Sequence, residues 1–262
     1  MLRISLFVVG TAVGLASACF GQNRPPNLVA IRAAAEAGDP KAQYEYGQAI
    51  PLDRKVERME WILRSARAGY APAQEELGDL YASPFFDPDR KNRPANLRES
   101  VRWSSRAAYQ GIPSAQFRIA GFYQRGEVLP KDRVVAYVWM RTANSNRLFG
   151  PSRKSYLDRL ITEMSSVEIT EAEDRLKTFT LQTDSKLNPV EVDLLFAQCQ
   201  LGAIYVVNGV RQVVVNKVRF SQGETKDLVL AGEPISVTCV SIEEKSVLLG
   251  IAHTPYTRRL KR

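Results

Sequence analysis

The sequence contains one histidine, His253, and only three cysteines in 262 residues. Hydrolytic triads need a positioned histidine base, and zinc sites need a closely spaced set of histidine and cysteine ligands. No glycine-rich phosphate-binding loop is present. The adjacent acids Glu75-Glu76 and Glu243-Glu244 point apart on a helix or strand, so neither pair forms an acid–base couple. We therefore predict a protein that is not an enzyme and that binds neither a cofactor nor a metal.

The sequence also lacks a concentrated basic stripe, although its formal net charge is +8. Basic residues are spread along the chain, apart from the run Arg258-Arg-Leu-Lys-Arg262. Nucleic-acid binding favours clustered charge interleaved with aromatic residues, so we predict no nucleic-acid partner. The terminal run could contact acidic lipid headgroups or an acidic partner, or it could simply be a frayed end.

One long apolar run is present, Ile4 to Leu15, and it is too short to span a bilayer as a stable anchor. It follows Arg3 and precedes small residues, which predicts a secretory signal peptide over residues 1–21. We expect a periplasmic or secreted protein, cleaved after Ala18 or Gly21. The alternative is a membrane-anchored lipoprotein, because the sequence before Cys19 loosely resembles a bacterial lipobox. Contact with a membrane is expected only if Cys19 is lipidated.

A pattern with fixed offsets fills the first two thirds of the remaining chain. A glycine is followed by Ala-Gln four and five residues later and by a small residue nine residues later. A tryptophan stands eight residues before the second and third glycines, and Trp139 continues the series. The glycines are Gly38, Gly69 and Gly111, the Ala-Gln pairs begin at Ala42, Ala73 and Ala115, and the small residues are Gly47, Gly78 and Ala120. Recurrence at roughly 31 to 42 residues indicates a stacked repeat protein.

Each unit is predicted to be a pair of antiparallel helices. Pro40, Pro72 and Pro113 lie in the first turn of the first helix, where the missing N–H costs little. The second helix carries the tryptophan and ends at the next glycine, which can adopt a left-handed conformation. One pair cannot bury its own apolar face, so neighbouring pairs must stack.

These marks resemble the Sel-one-like repeat (SLR), a relative of the tetratricopeptide repeat. They include Trp103-Ser-Ser-Arg-Ala-Ala-Tyr-Gln-Gly111, Ala73-Gln-Glu-Glu-Leu-Gly-Asp-Leu-Tyr81 and Gly126-Glu-Val-Leu-Pro-Lys-Asp132. The resemblance covers about residues 28 to 180 and implies an α-solenoid over residues 25–180. An insert after Ser83 and the arginine at position 58 depart from the family pattern.

The resemblance implies a groove, lined by the first helix of each unit, that binds a protein or peptide segment. Candidate contact residues are Tyr44, Glu75 and Arg118. Phe85 and Phe86, in the proline-rich insert, either tuck back onto the helices or offer an apolar contact. The repeated glutamines, Gln43, Gln74 and Gln116, are expected to serve packing or hydrogen bonding between repeats.

The periodicity changes from 3.6 to 2 after Pro189. Residues 181–189 read as a linker, and residues 190–262 as a small all-β barrel or sandwich of five to seven strands. Asn208-Gly209 between two apolar runs is a hairpin signal. Cys199 and Cys239 could form a disulfide in an oxidising compartment or remain as buried free thiols. The predicted fold class is α+β with separate domains, the solenoid first.

The β-domain shows a second resemblance, in Val214-Val-Asn-Lys-Val-Arg-Phe-Ser-Gln-Gly223 and in the runs from Ile235 and Ser246. It is similar to periplasmic domains of pilus-assembly and type II secretion components, although Lys217 replaces their usual glycine. We predict a non-enzymatic interaction scaffold or adaptor of the bacterial cell envelope. The alternative, implied by this resemblance, is an accessory of a type II secretion or type IV pilus machine that docks through its β-domain.

Overall fold

The computed structural model describes residues 27–83, 91–144, 151–181, 188–230, 233–252 and 257–261. The predicted signal segment, Cys19, Phe85, Phe86 and His253 lie outside these ranges. In the described residues, ten helices precede seven strands, as the α+β prediction requires. None of these helices has the length and apolar character needed to cross a membrane.

The helices follow one another along the solenoid. Their bounds are α1 Leu28–Glu36, α2 Pro40–Ala49, α3 Lys55–Arg67, α4 Ala71–Ala82, α5 Arg93–Tyr109, α6 Pro113–Arg125, α7 Arg133–Asn144, α8 Pro151–Thr162, α9 Ser166–Thr178 and α10 Pro189–Phe196. Each helix from α1 to α7 packs against its neighbours in sequence, which is the arrangement of a stacked repeat.

The repeated glycines end their helices in the predicted way. Gly38, Gly69 and Gly111 have φ values of 96°, 95° and 87°, in the left-handed region that favours glycine. At the second of these ends the Gly69 N–H donates to the Ala66 carbonyl, and the Tyr70 N–H donates to the Ser65 carbonyl. The same two bonds recur at Gly38 and Gly111, so all three ends are Schellman motifs.

The glutamine of each repeated Ala-Gln pair forms a hydrogen bond to the preceding helix. The buried Gln74 amide donates to the Ala66 carbonyl at 3.0 Å, the same carbonyl that accepts the glycine N–H. Gln43 and Gln116 make the equivalent bond to the carbonyl eight residues earlier, at 3.3 and 3.0 Å. The glutamine therefore joins the first helix of a unit to the end of the preceding helix.

Small residues permit close contact between the two helices of a unit. A Cβ added to Gly78 would lie 2.2 Å from the Ser104 hydroxyl oxygen, and one added to Gly47 would lie 3.2 Å from atoms of Trp61 and Ile62. Ala120, the third member of this series, is fully buried. A Cβ at position 47 or 78 would therefore require the neighbouring side chains to shift.

The tryptophans fill the space between layers, and their burial rises along the stack. Trp61 meets Tyr46 edge to face at 5.2 Å. Trp139 is almost completely buried, with Tyr109 at 5.1 Å and Phe179 at 5.0 Å. Helices α8 and α9 close the array, and α9 begins with a capping box formed by Ser165 and Glu168.

The C-terminal part is a sandwich of two antiparallel sheets, rather than a closed barrel, in the described residues. One sheet has the order β1-β2-β3 and the other β4-β5-β6-β7. Their bounds are β1 Leu201–Val207, β2 Val210–Val215, β3 Val218–Ser221, β4 Thr225–Leu230, β5 Glu233–Ile242, β6 Ser246–Ile251 and β7 Thr257–Lys261. Val213 and Phe220 of the first sheet and Val237 and Leu249 of the second share one apolar core.

Two tight turns set the register of the first sheet. Asn208-Gly209 forms the predicted hairpin, with Val207 paired to Val210. Asn216 and Lys217 form the next turn, with φ values of 48° and 68°. Lys217 thus stands in the left-handed region, which favours glycine.

Helix α10 occupies the start of the region that the sequence pattern predicted to be all-β from residue 190. Asn188 caps the helix and Glu191 completes a capping box, with Pro189 in the first turn. The capping residues therefore determine that this segment is a helix, because its apolar residues alone do not distinguish a helix from a strand.

The two cysteines are free thiols in the structure. Cys239 is buried on β5, and Cys199 is half-buried in the segment that follows α10. Burial raises the pKa of each thiol to about 11. Thiols that burial keeps protonated react slowly, and a disulfide between Cys199 and Cys239 stays a prediction.

Candidate protein-binding surface

Helices α2, α4 and α6, the first helices of the three units, form one layer. Arg118 of α6 reaches back to α4, where it meets the Asp79 carboxylate at 2.7 Å and the Glu75 carboxylate at 3.8 Å. It also donates to the Ser104 hydroxyl at 3.2 Å. Its side chain is only 16% exposed, so these contacts fix the spacing of α4 and α6.

A second polar cluster, centred on an ion pair, joins α2, α3 and α4. Arg58 donates to the Gln48 carbonyl at 3.1 Å and lies 3.3 Å from Glu76, which in turn accepts from the Gln48 amide. Tyr44 lies beside this group, and burial and the nearby Glu76 raise its pKa to about 12. Arg58, at the departure from the family pattern, therefore takes part in the contact between units.

The structure brings some of the predicted contact residues together. Glu75 and Arg118 are ionic partners, whereas Tyr44 belongs to the neighbouring cluster around Glu76. The adjacent acids Glu75 and Glu76 point to different arginines, as their sequence positions predict. Exposed charges on the layer include Asp79, whose side chain is 73% exposed, and the pair Lys41 and Glu45, at 68% and 44%. Whether these residues contact a partner stays a prediction.

No cluster of three or more potential metal ligands occurs among the described histidine, cysteine, aspartate and glutamate residues. The layer offers hydrogen bonds and ion pairs from a fixed scaffold. Its repeated glutamines are buried and donate their amide hydrogens within the solenoid, so they are not available to a partner.

Helix α10 joins the solenoid to the sandwich because its two faces belong to different cores. Val190 and Leu194 lie in the apolar core of α5 to α9. Val192, Leu195 and Phe196 lie in the core of the sandwich. A helix that is apolar on both faces is buried on both sides.

Polar contacts fix the start of α10 on α5. The buried Asn188 amide donates to the Ser105 hydroxyl at 3.1 Å. Arg106 donates to the Glu191 carboxylate at 2.8 Å, and the Glu191 side chain is only 5% exposed. Glu191 also completes the capping box, so one carboxylate serves both the helix end and the contact with the solenoid.

One further polar network joins the solenoid, helix α10 and the sandwich. The Tyr123 hydroxyl of α6 donates to the Asp193 carboxylate of α10 at 2.6 Å, and Arg258 of β7 lies 3.2 Å from the same carboxylate. Burial raises the pKa of Asp193, although Tyr123 and Arg258 oppose the shift. Burial and the Asp193 charge raise the pKa of Tyr123 well above its usual range.

The raised pKa of Asp193 predicts a pH dependence of stability. The folded chain holds this proton more tightly than the unfolded chain, so folding is favoured at low pH, and this contribution is lost as pH rises through the folded pKa. Relative to Asp193→Asn, the free energy of unfolding should fall from pH about 4, the ordinary carboxyl range, to neutral pH. Urea titrations of both proteins across that range test this. A constant difference between them would contradict it.

No protein-family model matches the chain. Chitin synthase regulatory factor 3 of Schizosaccharomyces pombe is 33% identical over 100 residues, which cover 37% of this chain and 10% of that protein. The chain thus matches only about a tenth of the length of this curated relative.

Two solved structures are similar. A Sel1 repeat protein from Oxalobacter formigenes has a TM-score of 0.43 and 28% identity, covering 50% of this chain and 97% of its own. The protective antigen c5321, present in uropathogenic Escherichia coli strains and displaying an SLR fold, has a TM-score of 0.27 and 17% identity, covering 62% and 53%. The chain is thus similar to Sel1 repeat proteins, as its repeat marks predicted.

Proposed function

We propose that this protein is a non-enzymatic adaptor of the bacterial cell envelope that binds a segment of a partner protein on the layer of α2, α4 and α6. The observation that carries the proposal is the layer itself, held at fixed spacing by Arg58 and Arg118. Repeat solenoids present extended surfaces of this kind for binding. A preordered surface loses little conformational entropy when a partner binds.

Two further points support the proposal. The curated relative is named a regulatory factor, a name that agrees with a binding role. The signal-like residues 1–21 support export, and fractionation of the native host tests the envelope location. The alternative is docking of the sandwich on a secretion or pilus machine.

Site-specific photocrosslinking in the native envelope tests the binding layer. A photoreactive amino acid replaces Glu45 on the layer, and matched controls carry it at Arg64 of α3 and Val229 of β4, both of which are exposed. The adaptor hypothesis predicts one discrete adduct from position 45 and none from position 64. Adducts from position 229 alone, with secretin or pilus-assembly proteins, would favour the alternative.

A competition experiment separates specific from random capture. Added purified chain should suppress the adduct, because it occupies the same partner segment. The Glu45→Arg chain should suppress it at least several-fold less well, because the change reverses an exposed charge of the layer whose ionic partner, Lys41, lies on the same helix. Equal suppression by both chains would exclude the layer as the binding surface.

A further inference from the structure

The sandwich is open along one side. Strands β7 and β1 are the outer strands of the two sheets and are not hydrogen-bonded to each other. A cleft of about 570 Å³ lies there. On the sandwich side it is lined by Arg258 to Leu260 of β7 and Leu201 of β1, and on the solenoid side by Arg98 of α5 and the loop Gly126–Pro130. Residues 196–199, at the end of α10, also line it. We call this space the seam cleft.

The seam cleft runs along the free edge of β7. Side chains alternate between the two faces of a strand, so a cavity against one face would touch every second residue. Arg258, Arg259 and Leu260 are consecutive, and all three line the cleft. Among the described residues, the backbone of β7 is hydrogen-bonded only to β6. The outer edge of β7 therefore presents to the cleft N–H and C=O groups that have no backbone partner among the described residues.

The charges of the cleft favour an acidic occupant. Three arginines and one glutamate, Glu127, line it. Arg258 and Arg259 have ionic partners in Asp193 and Glu243, and Glu127 lies 3.4 Å from Arg125. The remaining arginine, Arg98, is half-buried at the cleft and has no ionic partner among the described residues.

We propose that the seam cleft binds an acidic, extended segment of a partner protein. The segment adds as a further strand to β7 through main-chain hydrogen bonds and places a carboxylate against Arg98. Strand addition to a sheet edge is an established mode of peptide recognition, and arginine is well suited to hold a carboxylate. The seam cleft is separate from the layer of α2, α4 and α6, so either site can fail in experiment without the other.

Fluorescence anisotropy with three short labelled peptides tests this proposal on the purified chain. The first alternates valine and glutamate, the second alternates valine and lysine, and the third is the acidic peptide N-methylated throughout. We expect saturable binding of the first peptide alone. The lysine peptide lacks the charge, and the methylated peptide cannot donate hydrogen bonds to a strand. Amide exchange of residues 257–261 should slow when the first peptide binds.

Charge reversal at Arg98 supplies the matched comparison. Arg98→Glu should weaken binding of the acidic peptide about tenfold or more, because it removes a charge-assisted hydrogen bond. Arg102→Glu makes the same change one turn along α5, at an arginine that already pairs with Glu99 at 3.0 Å and does not line the cleft. It should leave the affinity within about twofold, because Arg102 lies outside the cleft.

Three results would overturn the proposal. The methylated peptide binding as tightly as the first would mean general charge attraction without strand addition. Arg98→Glu and Arg102→Glu behaving alike would remove Arg98 from the site. A dimer in sedimentation analysis that Arg98→Glu dissociates would show that a second copy of the chain occupies the cleft instead of a partner.

Discussion

Replacing Trp139 by alanine should lower the free energy of unfolding by about 3–5 kcal/mol. The indole is 1% exposed and lies between the rings of Tyr109 and Phe179. The substitution removes these contacts and leaves a cavity that the surrounding helices fill only in part. Such a loss is a large share of the stability of an ordinary domain. Urea denaturation followed by far-UV circular dichroism measures it.

Trp61→Ala is the matched control, because it makes the same change at the same position of another repeat. Trp61 is only half-buried, with one edge-to-face contact to Tyr46. Its loss should cost about 1–2 kcal/mol, in proportion to the smaller buried area. If Trp139→Ala does not fold, Trp139→Phe can replace it, because it preserves part of the packing. Its loss of unfolding free energy should lie between those expected for Trp61→Ala and Trp139→Ala. Equal losses at positions 61 and 139 would show that burial does not govern the role of these tryptophans.

The repeated part of the fold was predictable because each mark meets a local need that recurs. Gly69 is required by a left-handed helix end, and Gln74 by the carbonyl exposed at that end. Gly78 is required by contact with Ser104. The same residue types recur three times at the same offsets, and few folds other than stacked helix pairs account for this. The helix pairs could therefore be placed without a structure.

The joint, by which we mean α10 and its contacts with the solenoid and the sandwich, could not be predicted in the same way, and neither could the seam cleft. Arg106 and Glu191 are 85 residues apart, and Tyr123 and Asp193 are 70 apart, so only the folded chain brings them together. Helix α10 is apolar on both faces, so it shows neither helical nor strand periodicity. One local signal was available, the capping box from Asn188 to Glu191. For Arg118 no local signal was available, because its position in the repeat does not indicate its ionic partners on α4.

Because α10 belongs to both cores, the solenoid and the sandwich should unfold in a single transition. Leu194 is buried in the solenoid core, and its neighbour Leu195 is buried in the sandwich core. Each leucine-to-alanine change should lower the stability of the whole chain by about 2–5 kcal/mol, through lost burial and the cavity that remains. The adjacent leucines act as controls for each other, since they share one helix and one chemical change.

Two probes distinguish a coupled chain from two independent domains. All three tryptophans lie in the solenoid, so their fluorescence follows that part alone. Amide exchange of β5, detected by mass spectrometry, follows the sandwich. In a coupled chain both probes shift together in Leu194→Ala and again in Leu195→Ala. If Leu194→Ala moved only the fluorescence transition and Leu195→Ala moved only the exchange of β5, the joint would be a passive contact. A coupled joint instead holds the walls of the seam cleft at a fixed distance, so loosening α10 should also weaken binding of the acidic peptide.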